Sequence, residues 1–544
     1  MEARLKAIVE GIEEIENVEI ISPLQYKGGM IQGTIKVSEN TAVLDFQIEI
    51  FPSYPFKLHN IEAIRFINED LLNYDHTNTD GSICIIPQHN PDVKLKLKQD
   101  LTALKGWITK YYLKAEEDAH YEHILLPSIP DGYSVFQFTD VNYNFSKGEH
   151  GYFTFSKISD GKAGLRDIET FIVQEFHPKK QSIKCNWSIH YQRLPKLTGI
   201  FLYIEHPPTP IEARRIAAKS WDEIEYLVSQ EFLQFLYSIN KSLNTQKATP
   251  NIALLIGYSI NNTTIHWEAI NIKGDNFPNY GEKISGKFIG RLNNQLINWL
   301  QTRNCTYDYF FGRGAFHPNI THKKILLLGA GAIGSQIAVT LARGGCKTIT
   351  ILDFDIKEAE NICRSEYLFN QGVTSKVTEL STTVVNISPF IEVDAREELI
   401  HMIKMGDFER FSEPMKKYFE EFDIIFDCTS DNDLAYIFDK LDLNNRIFNF
   451  SISNNAQELV CVTNPNLYSW LGEIYTNLGK ADDIDLYNPT GCWSPTFKAS
   501  YNDIAFLVQY ALKHINTCFK LSLPVRSFYV SYSEDGLTTK INQF

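Results

Sequence analysis

Three glycines and one aspartate form the most specific chemical pattern in this sequence. The segment KKILLLGAGAIGSQIAVTLARGGCKTITILDFD, which begins at Lys323, spaces Gly329, Gly331 and Gly334 as G-x-G-x-x-G between a predicted strand and a predicted helix. In such a turn the first glycine allows a tight bend, the second lets a phosphate approach the backbone, and the third lets the helix pack against the strand. The phosphate binds N–H groups at the start of the helix, and Asp353, at the end of the next strand, is placed to bind a ribose hydroxyl. The pattern therefore predicts a nucleotide site.

The residues that follow this second strand favour a triphosphate over a dinucleotide. An amide and two cations, Asn361, Arg364 and Lys376, occur in the stretch DFDIKEAENICRSEYLFNQGVTSK. A dinucleotide does not need that set, whereas Arg and Lys side chains neutralise the charge of a triphosphate. The predicted ligand is therefore a nucleoside triphosphate, and an NAD-dependent oxidoreductase is the less favoured alternative.

A carboxylate for a metal ion is predicted after a further buried strand. In FDIIFDCTSDND an apolar run is followed by Asp427, Asp431 and Asp433, and ligands of α/β proteins bind at this end of parallel strands. A carboxylate in this position can hold Mg²⁺ against the phosphates. The candidate ligands are Asp427, Asp431 and Asp433.

Two of the nine cysteines occur in settings that suit a nucleophile. Cys492 lies in NPTGCWSPTF, an irregular loop before a predicted helix, where a thiol can be exposed and adjustable. Cys84 lies in HTNTDGSICIIPQHN, after His76 and Asn78, and by itself it would be interpreted as a core thiol. No C-x-x-C pair occurs, which disfavours a zinc site. Four other cysteines are predicted to be packing residues: Cys346, Cys363, Cys428 and Cys461.

The elements that position these residues predict three domains of mixed α/β and α+β type. Residues 1–150 show a helical pattern, then alternating strands in MIQGTIKV and TAVLDFQIEI, then an amphipathic helix in LKLKQDLTALKGWITKYYLKA, which is typical of an α+β domain. Residues 151–310 mix strands and helices without clustered chemistry, so a spacer, dimerisation or docking domain is expected. Residues 311–544 are predicted to form a Rossmann-like, doubly wound domain.

Composition excludes some functions. The chain of 544 residues is too long for one core, and its formal net charge of −14 without a dense basic run argues against nucleic acid as a partner. No apolar run approaches the roughly 18 residues that span a bilayer, so no membrane contact is predicted. The acidic N-terminal segment lacks the pattern of a secretory signal, and a cytoplasmic location is expected.

The nucleotide motifs resemble those of the ThiF/MoeB and ubiquitin-activating enzyme superfamily. The resemblance is carried by LLGAGAIG, LDFD, N-x-x-R, the later lysine and DCTSDN. It implies adenylation of a C-terminal carboxylate with Mg-ATP, with ribose bound by Asp353, phosphates by Asn361, Arg364 and Lys376, and metal by Asp431.

The same resemblance concerns three further features. It implies thioester formation on Cys492, because GCWSPTF is similar to the loop that carries the nucleophile in bacterial members. It implies an arginine finger, for which Arg303 and Arg313 are the candidates. This chain departs from the family at Ala332, where a second glycine pair is usual, and at Ser365, where Gln is usual.

The first 150 residues resemble a ubiquitin-conjugating domain. The order of parts carries the resemblance: a helix, an antiparallel meander, FPSYPF, His76-x-Asn78, Gly81, Ile83-Cys84 and a following helix. It implies that Cys84 is an acceptor nucleophile and that Asn78 supports an oxyanion beside it. Thr77 stands where the family has proline. A literal His317-Pro318-Asn319 also occurs, but no cysteine follows it closely, and we interpret it as unrelated.

A conjugating domain fused ahead of an activating domain resembles the bacterial fusions of CBASS antiphage operons. That resemblance implies a ligase for a protein with a free C-terminus, such as a cyclic-nucleotide synthase, a lysine-bearing target, and a homodimer. An adenylyltransferase for a sulfur carrier is the nearest alternative, and a non-catalytic scaffold is a further one.

Overall fold

The structure, a computed structural model, describes most of the chain. The described residues are 2–57, 61–116, 124, 133–163, 166–179, 181–213, 215–245, 250–261, 264–284, 287–397, 408–444, 446–478, 486–487, 496–497, 499–533 and 538–544. They form two compact units, one of Met1–Cys185 and Pro195–Asn304, the other of Asn186–Leu194 and Cys305–Phe544.

The first unit begins with an antiparallel meander between two helices. Its elements are α1 Glu2–Glu13, β1 Val18–Lys27, β2 Met30–Glu39, β3 Ala42–Ile50, β4 Ile64–Ile67 and α2 Val93–Trp107, which continues as a π-helical turn over Ile108–Leu113. The strand order is β1-β2-β3-β4. Phe46 and Ile48 of β3 alternate with exposed residues and share one core with Ile8 of α1 and Leu101 of α2. The predicted order of helix, meander and helix is confirmed.

The same unit contains a second, larger sheet. Its order is β5-β14-β11-β10-β9-β6-β7-β8, and β5 also pairs with β7. The strands are β5 Tyr133–Phe138, β6 His150–Ala163, β7 Arg166–Pro178, β8 Ile183–Lys184, β9 Leu197–Tyr203, β10 Ile252–Asn261, β11 Thr264–Ile272 and β14 Trp299–Asn304. A hairpin of β12 Asn279–Ile284 and β13 Lys287–Leu292 contacts the helix α4 Gln230–Thr245, and a 3-10 helix covers Trp221–Leu227.

The sequence-based boundary near residue 150 is wrong. Strand β5 lies before it, yet β5 pairs in parallel with β14 and β7 of the second sheet. The physical reason is that β5 packs its aromatic side chains into the core of the second sheet. Phe136 and Phe138 are buried, and the Phe136 ring centroid lies 5.2 Å from those of Phe155 and Phe171. The second boundary lies at residues 304/305 rather than 310/311, and residues 186–194 belong to the second unit.

The second unit is the predicted doubly wound domain. Its sheet has the order β17-β16-β15-β18-β19-β20-β23-β24, in which the first five strands are parallel. Its strands are β15 Lys324–Leu328, β16 Thr348–Leu352, β17 Glu392–Arg396, β18 Ile424–Asp427, β19 Arg446–Ser453, β20 Glu458–Thr463, β23 Phe528–Tyr532 and β24 Thr539–Gln543, besides a separate pair of β21 Leu486–Tyr487 and β22 Thr496–Phe497.

Helices cover both faces of this sheet. They are α7 Ala332–Arg343, α8 Lys376–Ile387, α9 Phe408–Phe419, α10 Asn432–Leu441, α11 Leu467–Leu478 and α12 Tyr501–Lys520, after the short α3 Ile189–Gln192, α5 Tyr307–Phe311 and α6 Pro318–Thr321. Ile325 and Leu327 of β15 face the core of α7, α8 and α12, whereas Leu326 and Leu328 face that of α9, α10 and α11. The continuous apolar run KILLL therefore reflects burial on both faces.

None of the helices in the described part of the chain has the length and hydrophobicity needed to cross a membrane.

Candidate nucleotide cleft and cysteine site

The three glycines of the turn after β15 have three different surroundings. Gly329 has a φ of +82°, and a Cβ there would lie 2.9 Å from the backbone of Cys428. A Cβ on Gly334 would lie 1.9 Å from the carbonyl oxygen of Gly329, whereas a Cβ on Gly331 would have no heavy atom within 4 Å. The first and third glycines thus allow a tight bend and close helix packing, and the backbone at Gly331 is open to a ligand.

Asp353 fixes the same turn. Its Oδ2 accepts a hydrogen bond of 2.6 Å from the backbone N–H of Ala330, and its Oδ1 accepts one of 2.8 Å from that of Asp355. The carboxylate is largely buried at the end of β16. Asp353 therefore links two neighbouring strand ends, in addition to the ribose contact that its position predicts.

A cleft of about 320 Å³ opens at this edge of the sheet. It is lined by Gly329, Gly331, Asp353, Phe354, Asp355, Lys376, Cys428, Thr429, Asp431, Leu434 and Ile437. Five of the eight predicted nucleotide and metal residues thus lie in one cleft. Gly334, Asn361 and Arg364 are not among its lining residues.

The three candidate aspartates for the metal have different surroundings. Asp427 is fully buried and accepts hydrogen bonds from the Thr429 N–H and hydroxyl and from Asn449 Nδ2, and its burial raises the pKa of its carboxyl. Asp431 lines the cleft and its Oδ1 accepts from the backbone N–H of Asp433 at the start of α10. Asp433 is exposed and is not a lining residue. The geometry therefore favours Asp431 over its alternatives.

The segment between β16 and α8 holds the predicted phosphate ligands. Lys376, at the first turn of α8, lies with its Nζ 2.5 Å from Asp355 Oδ2. The Asn361 side chain accepts from the Glu358 N–H at 2.9 Å and closes a capping box on the 3-10 helix Ala359–Arg364. Arg364, at the end of that helix, is half-buried.

Sequence reasoning missed two groups that hold this segment. Lys357 and Glu379 form a buried ion pair of 2.5 Å; Lys357 also donates to the Leu368 carbonyl, and Glu379 accepts from the Leu368 N–H. The Tyr367 hydroxyl donates to the carbonyl of Ala330 in the glycine turn. For the Lys357–Glu379 ion pair, the only signal in the sequence was that each charged residue stands beside an apolar residue, 22 positions apart.

Cys84 is exposed on a two-stranded ladder in the first unit. Thr77 and Ile83 form an antiparallel bridge, and the Cys84 N–H donates to the His76 carbonyl at 2.7 Å. Thr77 and Ile83 are buried, whereas Cys84 is exposed. Since side chains alternate between the faces of a strand, the apolar neighbours are buried and the thiol is accessible.

The two polar residues predicted beside Cys84 lie on the opposite strand of this ladder. His76 has a φ of +61°, and its ring centroid lies 4.6 Å from that of Tyr111. Asn78 is exposed; its backbone N–H donates to the Ser82 carbonyl at 2.8 Å, and its side-chain amide donates to Ser82 Oγ at 3.0 Å. The structure therefore brings His76, Asn78 and Cys84 into one hairpin, with the Asn78 amide bonded within the turn.

The other cysteine predictions have mixed outcomes. Cys492 lies outside the described residues. Cys346 and Cys461 are fully buried in the core, and burial raises the pKa of both thiols, as packing residues require. The packing prediction is wrong for Cys363, which is exposed because the 3-10 helix that carries it has no buried residues. Cys428 lines the nucleotide cleft.

The two arginine-finger candidates lie in different units. Arg303 is on β14 of the first unit, where it donates to the Thr302 carbonyl and to Gln301 Oε1. Arg313 is exposed in the second unit, after α5. His317 accepts from the backbone N–H of Asn319 and caps α6, so the literal His-Pro-Asn has a structural role.

The comparisons with known proteins identify the class of the second unit. Residues 309–452, which contain the residues that line the nucleotide cleft, match the ThiF family. The chain is 26% identical over 460 residues to the "ATP-dependent ubiquitin transferase-like protein Cap2" of Enterobacter hormaechei, an alignment that covers 76% of this chain and 72% of that protein. The resemblance to bacterial activating proteins of CBASS systems is thereby confirmed.

Two further relatives match a smaller share. The ubiquitin-like modifier-activating enzyme 5 of Caenorhabditis elegans is 25% identical over 136 residues, which are 25% of this chain and 30% of that enzyme. Among solved structures, Escherichia coli MccB with ATP is 17% identical with a TM-score of 0.28, over 41% of this chain and 64% of that chain.

Proposed function

We propose that this protein uses ATP to activate the C-terminal carboxylate of a partner protein, captures the acyl group on Cys492, transfers it to Cys84 and joins it to an amine. The observation that supports this best is the occurrence, in one chain, of a ThiF-type cleft and an exposed cysteine on a hairpin with His76 and Asn78. An adenylating enzyme for a sulfur carrier has no use for the second feature.

In the first step, a carboxylate oxygen of the partner attacks the α-phosphorus of ATP. A C–O–P bond forms, pyrophosphate leaves, and the partner becomes an acyl adenylate. The open backbone at Gly331 receives phosphate oxygens, Asp353 the ribose, and Lys376 the phosphate charge, because these groups line one cleft. Asn361 and Arg364 are assigned to the phosphates by family resemblance.

The residues of the cleft fit Mg²⁺. The carboxylate of Asp431 lines it, and this ion is usually bound by one or two carboxylates together with phosphate oxygens and water. Asp431 would hold the ion, which would supply charge neutralisation on the phosphates.

The later steps exchange one acyl bond for another. The Cys492 thiolate attacks the acyl carbon, a C–S bond forms and AMP leaves. The Cys84 thiolate then attacks the thioester and the Cys492 thiolate leaves. Finally an amine of the target, a lysine in the simplest case, attacks the Cys84 thioester; the Cys84 thiolate leaves and the amine proton goes to solvent. Several easier acyl transfers replace one difficult step.

The relationship with Cap2 supports the proposed choice of partner. We propose a protein with a free C-terminus, and first a cyclic-nucleotide synthase of the CBASS type, with the homodimer as the working unit. A role in antiphage defence follows from the same relationship.

The test is intact mass of non-reduced protein after incubation with Mg-ATP and such a synthase. Wild type, Cys84→Ala, Cys492→Ala and a matched control, Cys363→Ala, are compared; Cys363 is the other exposed cysteine in the described residues. A thiol-labile adduct is expected in wild type and control, confined to Cys492 in Cys84→Ala and absent in Cys492→Ala. Pyrophosphate release with a carboxylate of another protein, without any adduct on Cys84, would indicate sulfur-carrier chemistry instead.

A further inference from the structure

A buried arginine in the irregular segment between β9 and the 3-10 helix Trp221–Leu227 contacts the segment that leads to Cys84. Arg215 is 3% exposed, and its Nη1 donates to the carbonyl of Tyr74. Its Nε lies 3.5 Å from Oδ1 of Asp75, whose side chain is also buried. Nearby, Asn73 Nδ2 donates to the carbonyl of Glu212 at 3.4 Å. Burial lowers the pKa of the Arg215 guanidinium, and the Asp75 carboxylate opposes that change.

Arg215 is itself held firmly. Ala217 and Ala218, which follow it, are fully buried. The Ala218 N–H donates to the Pro208 carbonyl at 3.0 Å, and the Trp299 indole of β14 donates to the Ala218 carbonyl at 2.8 Å. The guanidinium therefore extends from an irregular segment that is bonded to β14 through Ala218.

The segment that Arg215 contacts ends directly at the cysteine ladder. The carbonyl of Asp75 accepts from the Trp107 indole of α2 at 3.0 Å, so Asp75 is held from both sides. The next residue is His76, with its positive φ, and its carbonyl accepts from the Cys84 N–H. One residue of backbone separates the Arg215 contacts from the hydrogen bond that places Cys84.

We propose that Arg215 is a positioning residue for Cys84: by fixing Tyr74 and Asp75 it sets the backbone of His76 and, through it, the strand that carries the thiol. This inference rests on the proposed function for its chemical meaning, because Cys84 is the acceptor only there. It also gives Arg215, within the 151–310 region for which a spacer, dimerisation or docking domain was expected, a role at the cysteine hairpin.

Arginine is the residue type that this position needs. Its planar guanidinium can donate to a carbonyl and face a carboxylate at once, whereas a lysine ammonium is a single charge on a flexible chain. Removing the guanidinium leaves Asp75 buried without its cation, an unfavourable state.

The first experiment is hydrogen exchange by mass spectrometry on the full chain. We compare wild type, Arg215→Met, Arg215→Lys and Asp75→Asn with the control Arg291→Met, whose arginine pairs with Glu225 in the same unit. Peptides over residues 74–86 are expected to exchange about tenfold faster or more in Arg215→Met, since a charge-assisted hydrogen bond is lost. Arg215→Lys should recover part of the protection, and the control should match wild type.

Two results overturn the inference: unchanged exchange over 74–86 in both Arg215 variants, or exchange that accelerates equally over β1–β4, which indicates general destabilisation. Should Arg215→Met fail to fold, the exchange of residues 74–86 in Arg215→Lys and Asp75→Asn tests the inference instead. Faster exchange there supports it, and unchanged exchange overturns it.

The second experiment separates positioning from the proposed function. In single-turnover assays, Arg215→Met is expected to keep ATP–pyrophosphate exchange and the Cys492 adduct but to lose about tenfold in transfer to Cys84, with partial rescue in Arg215→Lys. If wild type forms no adduct on Cys84, the proposed function fails while hydrogen exchange still decides whether Arg215 fixes the hairpin. If Arg215→Met exchanges faster over residues 74–86 but transfers the acyl group to Cys84 at the wild-type rate, the positioning role is overturned and the proposed function is not.

Discussion

At the scale of single residues, Gly331 and Gly334 serve different purposes: Gly331 leaves space for a ligand, and Gly334 allows close packing of the helix against the turn. A methyl group on Gly334 would meet a backbone oxygen at 1.9 Å, and overpacking of this kind costs about 1–3 kcal/mol. A methyl group on Gly331 meets nothing within 4 Å. Gly334→Ala should therefore lower the melting temperature, whereas Gly331→Ala should keep it and weaken ATP binding, since the methyl group occupies the space of a phosphate. Thermal unfolding and ATP binding measured on both variants check this. Wild-type affinity in Gly331→Ala would contradict the phosphate assignment.

Substitutions of Asp427 and Asp431 are expected to have different effects, the first on the pH dependence of stability and the second on activity. Burial raises the pKa of Asp427, so the folded chain holds that proton more tightly than the unfolded chain. The resulting contribution to stability is present below the ordinary carboxyl pKa of about 4 and is lost as pH rises through the folded pKa. Wild type should therefore lose stability relative to Asp427→Asn over that rise in pH, measured by urea unfolding at several pH values. Asp431→Asn should change this pH dependence only slightly, because the Asp431 carboxylate is the smallest of the causes that act on the pKa of Asp427, but it should lower pyrophosphate exchange about tenfold or more. The opposite pattern would assign the metal to Asp427.

The residue types of the site were predictable, but their partners were not. G-x-G-x-x-G and Asp353 follow from spacing because a strand, a turn and a helix fix the geometry locally. The buried bonds of Asp427 to Asn449, and of Tyr367 to Ala330, join residues that are distant in sequence. Such pairings depend on which strands become neighbours, and the sequence pattern does not state that.

At the scale of elements, a buried ion pair holds the crossover between β16 and α8. Lys357→Met leaves Glu379 buried without its cation, which costs about 3–5 kcal/mol in comparable cases. The double variant Lys357→Met/Glu379→Gln removes the charge and keeps an acceptor for the Leu368 N–H. It should be more stable than Lys357→Met alone, measured by urea unfolding in a double-mutant cycle. Additive losses would mean that the two side chains do not act as a pair.

The start of α12 is tied to the same crossover. The Tyr501 hydroxyl donates to Glu366 Oε1 at 2.5 Å, and this hydrogen bond is the main cause that raises the pKa of Tyr501 to about 12. The phenol thus stays protonated across the physiological range and the bond persists until pH rises through that value. Ser500 caps the helix through the Asp503 N–H, so Tyr501→Phe should keep α12 intact.

Because Cys492 precedes α12 in the chain, Tyr501→Phe should slow acyl capture several-fold and leave pyrophosphate exchange unchanged. Single-turnover adduct formation measures this. Tyr510→Phe, on the same helix, is the control. Equal capture rates in the two variants would show that the Tyr501–Glu366 hydrogen bond does not affect thioester formation.

At the scale of the whole molecule, sequence patterns predicted the kinds of sheet in the two units more accurately than the residues at which the units begin and end. The parallel sheet was predictable because KILLL and the IIF of FDIIFD are continuous apolar runs, as strands buried on both faces require. The assignment of β5 to the second sheet was not, because the pairing of Val135 with Gln301 joins segments 166 residues apart. The contact of Arg215 with Asp75 was missed for the same reason, because it joins two irregular segments that are 140 residues apart.

The nucleotide preference is a property of the entire second unit and can be tested on the intact protein. If the ligand is Mg-ATP, peptides over the glycine turn and residues 353–376 should gain protection from hydrogen exchange, because the ligand binds only the folded cleft. Saturation at about 100 times the dissociation constant corresponds to about 2.7 kcal/mol, a shift that thermal unfolding also detects. NAD at the same concentration should give neither effect, and Gly331→Ala should reduce both. Protection by NAD but not by ATP would instead assign the cleft to a dinucleotide, and the lysine beside Asp355 would need another explanation.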